Sequence, residues 1–289
     1  MDSPVEKATV SVATLSQPVA PTVVVSATVV KGLRVARRYL PNLLGSFVGL
    51  ALRVMFFLLI ANAVAFGIGV GGEETLSGRN LFLFFQGALL LLVFNGPTLW
   101  APINAVTTDL YNGTLEYIYS VLGSRYAYFV GTVLTDVIIA LVVFIPFYLF
   151  LVFFAQAGLR NTLMILLVCA VTLVSLTAMG IMIALMALLW RQVSSLAQIV
   201  GMLFEFVGGA YLPVSTFPPL LRWFAYLLPY TWGYDLIRFY SFDGDWPTLL
   251  PVWQEWVLVC LYALLFTVLS RFLLKRAARK AKERGLHII

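Results

Sequence analysis

The chain has 289 residues, 61% of them hydrophobic and 11% charged, with a net charge of +6. Soluble domains carry about 25% charged residues. At a mean hydropathy of +0.95 no soluble fold hides so much apolar surface, which leaves a polytopic, all-α membrane protein. The basic surplus sits mainly in the first and last polar segments, where it suits an anionic lipid surface; it does not call for nucleic acid. Cys169 and Cys260 both lie in apolar runs, and the lone histidine, His287, is in the tail. That set has neither metal-ligand spacing nor a disulfide framework.

Residues 1–26 are rich in Ser, Thr, Pro, Val and Ala and lack a signal-peptide pattern, so a disordered cytoplasmic tail is expected. Over residues 27–45, Leu33, Ala36, Leu40 and Leu43 recur at helical spacing, while Lys31, Arg34 and Arg38 take another face. That is the pattern of an amphipathic helix in the headgroup layer, ended or kinked at Pro41. A six-span domain follows over residues 46–275, with spans at 46–69, 81–106, 126–154, 162–190, 193–210 and 252–274. Arg53, in the first third of the first span, is placed to snorkel to the headgroups. Asn95, Gly96, Pro97 and Pro102 predict a kink or unwound turn in the second half of the second span. Asp136 in the third span reads as a cap or polar contact near the cytoplasmic edge.

Glu205 in the fifth span is the sharpest intramembrane group. A carboxylate there is costly unless it faces protein, water or a partner. Contact with a cationic or polar headgroup, a pair with Arg53, and a protonated form bonded within the bundle all remain open. Between the fifth and sixth spans, residues 211–246 are apolar and aromatic yet broken by Pro213, Pro218, Pro219 and Pro229. Such a stretch is too interrupted to span and too apolar for water. It predicts a pair of short helices dipping into the membrane from the outer face and buried against the bundle, one from Pro218 to Pro229 and another from Trp232 to Tyr240. Residues 276–289 form a basic tail. Lys31, Arg34, Arg37, Arg38, Arg125, Arg191 and the cluster at 275–284 fall on one side of six spans. The positive-inside rule then puts both termini and the loop between spans two and three in the cytoplasm.

That loop, residues 109–125, is a polar island between apolar runs. Gly113 frees a turn, Thr114 can cap a helix, and Glu116 suits the positive end of that helix. Leu115, Ile118 and Leu122 give it an apolar face at i, i+3 and i+7. No phosphate-binding loop, Ser/His/Asp set or paired carboxylates are present, so the chain is not expected to be an enzyme or to bind a cofactor itself. An ion-driven secondary transporter is an alternative, but it calls for intramembrane ionisable groups in repeated halves, and no repeat is visible. A membrane-embedded assembly subunit that moves nothing is another.

Gly113-Thr114-Leu115-Glu116, followed by Ser124-Arg125, resembles the "GTLE…(S)R" loop of the ABC-2 type permeases. A second match runs through Gly208-Gly209, Leu212-Pro213, Phe217-Pro218, Leu221-Arg222, Leu228-Pro229 and Tyr234-Asp235-Leu236-Ile237-Arg238, similar to that family's C-terminal signature. The likeness covers residues 30–275. It departs at 109–112, where the family often has a more charged approach to the glycine. The resemblance implies an exporter permease that pairs with itself or a sibling, is surrounded by membrane lipids, and binds two copies of a cytoplasmic ATPase. That ATPase would carry ATP and magnesium. Loop 109–125 would be the coupling helix, with Gly113, Thr114, Leu115, Glu116, Ile118, Leu122 and Arg125 as its contacts. In this family the second and fifth spans line the path, which makes Phe94, Asn95, Phe204, Glu205 and Tyr211 candidates. Pro213, Pro218, Arg222, Pro229 and Arg238 would shape the outer re-entrant segment. The loop resembles the drug- and lipid-export branch, with amphipathic substrates, more than the branch that exports polysaccharides or glycolipids.

Overall fold

The computed structural model describes residues 20–38, 40–63, 78–111, 125–189 and 194–283, and all the regular structure in them is helical. Five stretches are long and apolar enough to cross a membrane: Leu44–Ala63, Gly78–Ala105, Tyr126–Ala155, Leu159–Leu185 and Val252–Arg276. The first belongs to α2 (Leu40–Ala63). The second combines α3 (Gly78–Leu92), a π-turn at Gly96–Trp100, and the start of α4 (Ala101–Tyr111). The kink expected in this span is therefore present, at Asn95–Pro97. The other three belong to α5 (Arg125–Ala155), α6 (Leu159–Leu189) and α10 (Val252–Glu283).

The expected fifth span, 193–210, is described from Ser194 onward. Here α7 (Ser194–Met202) runs into a second π-turn, Leu203–Val207. The chain then turns through Gly208 and Gly209, and Gly209 has φ +90, a conformation that favours glycine. Five full-length spans thus lie among the described residues, and the stretch expected as the fifth of six is helical from Ser194 to Val207.

The N-terminal helix starts earlier than its pattern implied. Helix α1 spans Pro21–Arg38, so residues 21–26 are helical, not part of a disordered tail. Proline is well suited to a first helical position, where its missing N–H is not needed. The helix runs along the first half of α5. Val24 packs on Ala127 and Tyr128, and the two axes approach most closely where small residues meet. A Cβ on Gly32 would lie 2.3 Å from the Thr135 methyl, and one on Gly131 would lie 2.8 Å from Thr28. Both threonine hydroxyls donate within their own helices, to Val24 O and Gly131 O at 2.8 Å, which leaves their carbon faces for the crossing. Lys31, Arg34, Arg37 and Arg38 remain exposed.

After the Gly208–Gly209 turn come α8 (Pro219–Tyr226) and α9 (Pro229–Ser241). Pro229 opens α9 rather than merely ending α8, again as a first-turn proline. Helix α9 is buried along almost its whole length and packs against α3, α6 and α10. The centre of the core is thus the re-entrant helix itself, with Tyr230, Tyr234, Leu236 and Ile237 fully enclosed.

Candidate functional site

The two π-turns meet across the bundle. In the first, Pro97 lacks the N–H that would continue the α3 ladder, and the helix widens. Ala101 N–H closes the wide turn onto Gly96 O, and Thr98 Oγ1 donates to Phe94 O at 2.7 Å. Helix α6 comes close to this backbone at Gly180, where a Cβ would sit 1.7 Å from the Thr98 carbonyl oxygen. The second π-turn carries Glu205 and closes with Gly208 N–H donating to Leu203 O at 3.0 Å.

Asn95, Glu205 and Tyr211 come together here. Asn95 Nδ2 donates to Glu205 Oε1 at 3.4 Å, and Tyr211 Oη donates to Glu205 Oε2 at 2.7 Å. Glu205 is half-buried and has these two partners; its carboxylate is not in an ion pair with Arg53. Arg53 instead lies within electrostatic reach of the Tyr211 hydroxyl. Asn95 is 9% exposed, and its Oδ1 has no hydrogen-bond partner. The cluster is therefore rich in acceptors: a carboxylate and an amide oxygen whose lone pairs are open to a donor. Tyr211 is further held by ring contacts with Phe57 at 5.7 Å and Phe206 at 5.0 Å. The other two path candidates point into the core, Phe94 against Phe144 at 5.0 Å and Phe204 against Tyr230 at 4.6 Å.

Beside this cluster a cleft of about 1350 Å³ opens between α1, α2, α4 and α5. Its walls carry Lys31, Arg53 and Asp136 together with apolar side chains such as Leu50 and Val143. Asp136 thus faces the cleft.

The outer segment is braced by buried polar groups. Arg238 is 2% exposed and donates from Nη2 to Gly209 O at 2.7 Å and Ala210 O at 3.1 Å. Its guanidinium also stacks 3.5 Å from the centre of the Phe84 ring. It therefore holds the turn that follows the second π-turn. Arg222 donates to Ser215 O and Phe217 O, closing the bend between Pro213 and Pro218. Pro213 accepts the Thr216 N–H at 3.0 Å, and Pro218 is the extended residue before α8. Asp235 accepts Trp246 Nε1 at 2.6 Å and Leu249 N–H at 2.8 Å, while Glu255 accepts Leu250 N–H at 3.0 Å. Sequence reasoning gave Asp235 and Glu255 no such role. Asp235 stood out as part of the family's C-terminal signature, and Glu255 only as an acid at the start of an apolar run. Of the coupling residues, Gly113, Thr114, Leu115, Glu116, Ile118 and Leu122 lie outside the described residues, and Arg125 is the first residue of α5.

Long apolar helices, two of them broken into facing π-turns around a polar cluster, are the build of a multi-pass membrane permease, where irregular backbone lines a protein-enclosed site. The sequence model of the ABC-2 type transporter family matches residues 35–242, more than two thirds of the chain. The chain belongs to that family. No curated protein shows significant similarity to it.

Proposed function

We propose that this chain is the membrane permease of an ATP-driven exporter, paired with a second permease chain and driven by two copies of a separate cytoplasmic ATPase. It would sit in the cell membrane with both termini in the cytoplasm and export an amphipathic, drug-like or lipid-like substrate. The observation that carries this reading is the convergence of Asn95, Glu205 and Tyr211 between two broken helices. A donor group on a passing molecule can replace the long Asn95 contact at the half-buried Glu205. The π-turns supply the hinge, because their wide backbone rings tolerate changes of pitch that a regular helix resists.

Loop 109–125 would receive the ATPase. Its flanks favour that role: α4 carries the second span on to Tyr111, and α5 is helical from Arg125. A push on the loop would then be carried along α4 to the π-turn at Gly96–Trp100 and so to Asn95. The test is a pull-down from native membranes through a C-terminal tag, with mass spectrometry and an ATPase assay. A soluble phosphate-loop ATPase is expected to co-purify and to be lost when residues 113–116 are scrambled. Recovery of the chain without any ATPase in mild detergent would overturn the reading.

A further inference from the structure

The cleft between α1, α2, α4 and α5 is distinct from the Glu205 cluster and larger than a drug-sized pocket, at about 1350 Å³ against roughly 300–1,000 Å³. Three charged side chains line it, each from a different helix: Lys31 on α1, Arg53 on α2 and Asp136 on α5. Among the described residues none of the three is ion-paired, although they share one cleft. The rest of the wall mixes hydroxyl and amide groups, Thr108, Thr132 and Asn104, with apolar surface from Leu50, Ile139 and Val143. Lys31 and Arg53 are exposed and Asp136 is half-buried, so all three can be reached by a ligand in the cleft, and each gains from a partner of opposite charge. A purely anionic ligand would meet the two cations and leave Asp136 facing its own charge. A purely cationic ligand would do the reverse.

We propose that this cleft binds an amphiphile whose head carries both an anionic group and a protonated amine, with its chains against the apolar wall. The anionic group lies between Lys31 and Arg53, where the planar guanidinium offers paired donors. The amine donates to Asp136. The close crossing of α1 on α5 at Gly32 and Thr135 holds the two helices that carry Lys31 and Asp136 together, and both side chains line the cleft. Arg53 also lies near Tyr211, so the cleft adjoins the Glu205 cluster, and the amine has a second acceptor site ahead of it. This inference rests on the export reading only in regarding the ligand as cargo; binding itself requires neither ATP nor an ATPase.

The test uses the full chain in phosphatidylcholine vesicles carrying a trace of diazirine-tagged phosphatidylethanolamine, phosphatidylglycerol or phosphatidylcholine. After irradiation, mass spectrometry quantifies labelling of the peptides that line the cleft from α4 and α5. The ethanolamine probe is expected to label them about tenfold more than either of the others, the factor that one charge-assisted contact carries. Lys31→Gln with Arg53→Gln is expected to remove the labelling, while Arg53→Lys retains most of it. Asp136→Asn is expected to erase the preference for ethanolamine over glycerol. Equal labelling by the three probes, or labelling unchanged in the Lys31→Gln/Arg53→Gln protein, would overturn the proposal. Competition by soluble phosphoethanolamine as effective as that by ethanolamine lipid would overturn its amphiphilic part. Selective labelling without ATP-driven transport would sink the export reading alone, and transport without selective labelling would sink this inference alone.

Discussion

Glu205 is anchored on one oxygen and loosely held on the other, with the Tyr211 contact at 2.7 Å and the Asn95 contact at 3.4 Å. Glu205→Gln preserves size and the Tyr211 contact but removes the charge. In the reconstituted complex it is expected to cut substrate-stimulated ATPase activity about tenfold, the worth of one charge-assisted contact, with unchanged thermal unfolding. An unaltered stimulation curve would remove Glu205 from the path. Arg238 works differently. It is enclosed, and its donors satisfy the Gly209 and Ala210 carbonyls while its face covers Phe84. Arg238→Ala removes all of this and is expected to cost about 3 kcal/mol or more, the range for breaking a buried, hydrogen-bonded charge. Arg238→Lys is expected to recover only part of it, because an ammonium cannot both bond two carbonyls and stack on a ring. Unfolding midpoints in detergent decide both points.

At the scale of elements, the contact between α1 and α5 depends on residues without bulk. Gly32→Leu would drive a side chain into Thr135, whose methyl already occupies the place of a Cβ. The expected result is release of α1, read as faster proteolysis within residues 21–38, with the rest of the fold retained. No change in cleavage would show that the crossing is not what holds the helix. The break at Asn95–Pro97 was legible in the sequence because proline acts locally: it removes one N–H, and its effect is felt within a turn. That α9 lies buried against the bundle was legible from its prolines and apolar aromatics, but which neighbours enclose it was not. Its Tyr, Trp and Arg side chains do not name their partners; the surfaces of α3, α6 and α10 supply them. The same holds for α1. Its basic face marked a surface helix, but its contact with α5 depends on Gly131 and Thr135, about a hundred residues later in the chain. The end of the expected fifth span was written in Gly208–Gly209, though an apolar run continuing to Tyr211 concealed it. Of the site, Asn95, Glu205 and Tyr211 were individually visible as polar or amphipathic groups in unusual places. Their meeting was not, since it needs two helices to break at matching depths.

For the whole molecule, the coupling reading makes one further demand. Glu116→Lys reverses a charge at the proposed contact with the ATPase. The complex is expected to assemble more weakly, and substrate-stimulated ATP hydrolysis is expected to fall while the permease keeps its unfolding midpoint. Normal stimulation in the reconstituted complex would deny Glu116 that role. The burial of α9 also bears on how the protein is made. The segment from Tyr211 to Trp246 is held by partners that are synthesised after it: Trp256 donates to the Tyr240 hydroxyl, and Tyr262 donates to the Tyr226 carbonyl. Until α10 has been inserted, the hairpin has only α3 and α6 to rest on, and Tyr240 and Tyr226 lack these two partners. Maturation therefore runs backwards along the chain at this point, the last helix closing over an earlier one. A nascent chain stopped before Val252 is expected to leave that hairpin open to added protease on the outer face, and extension through α10 to protect it.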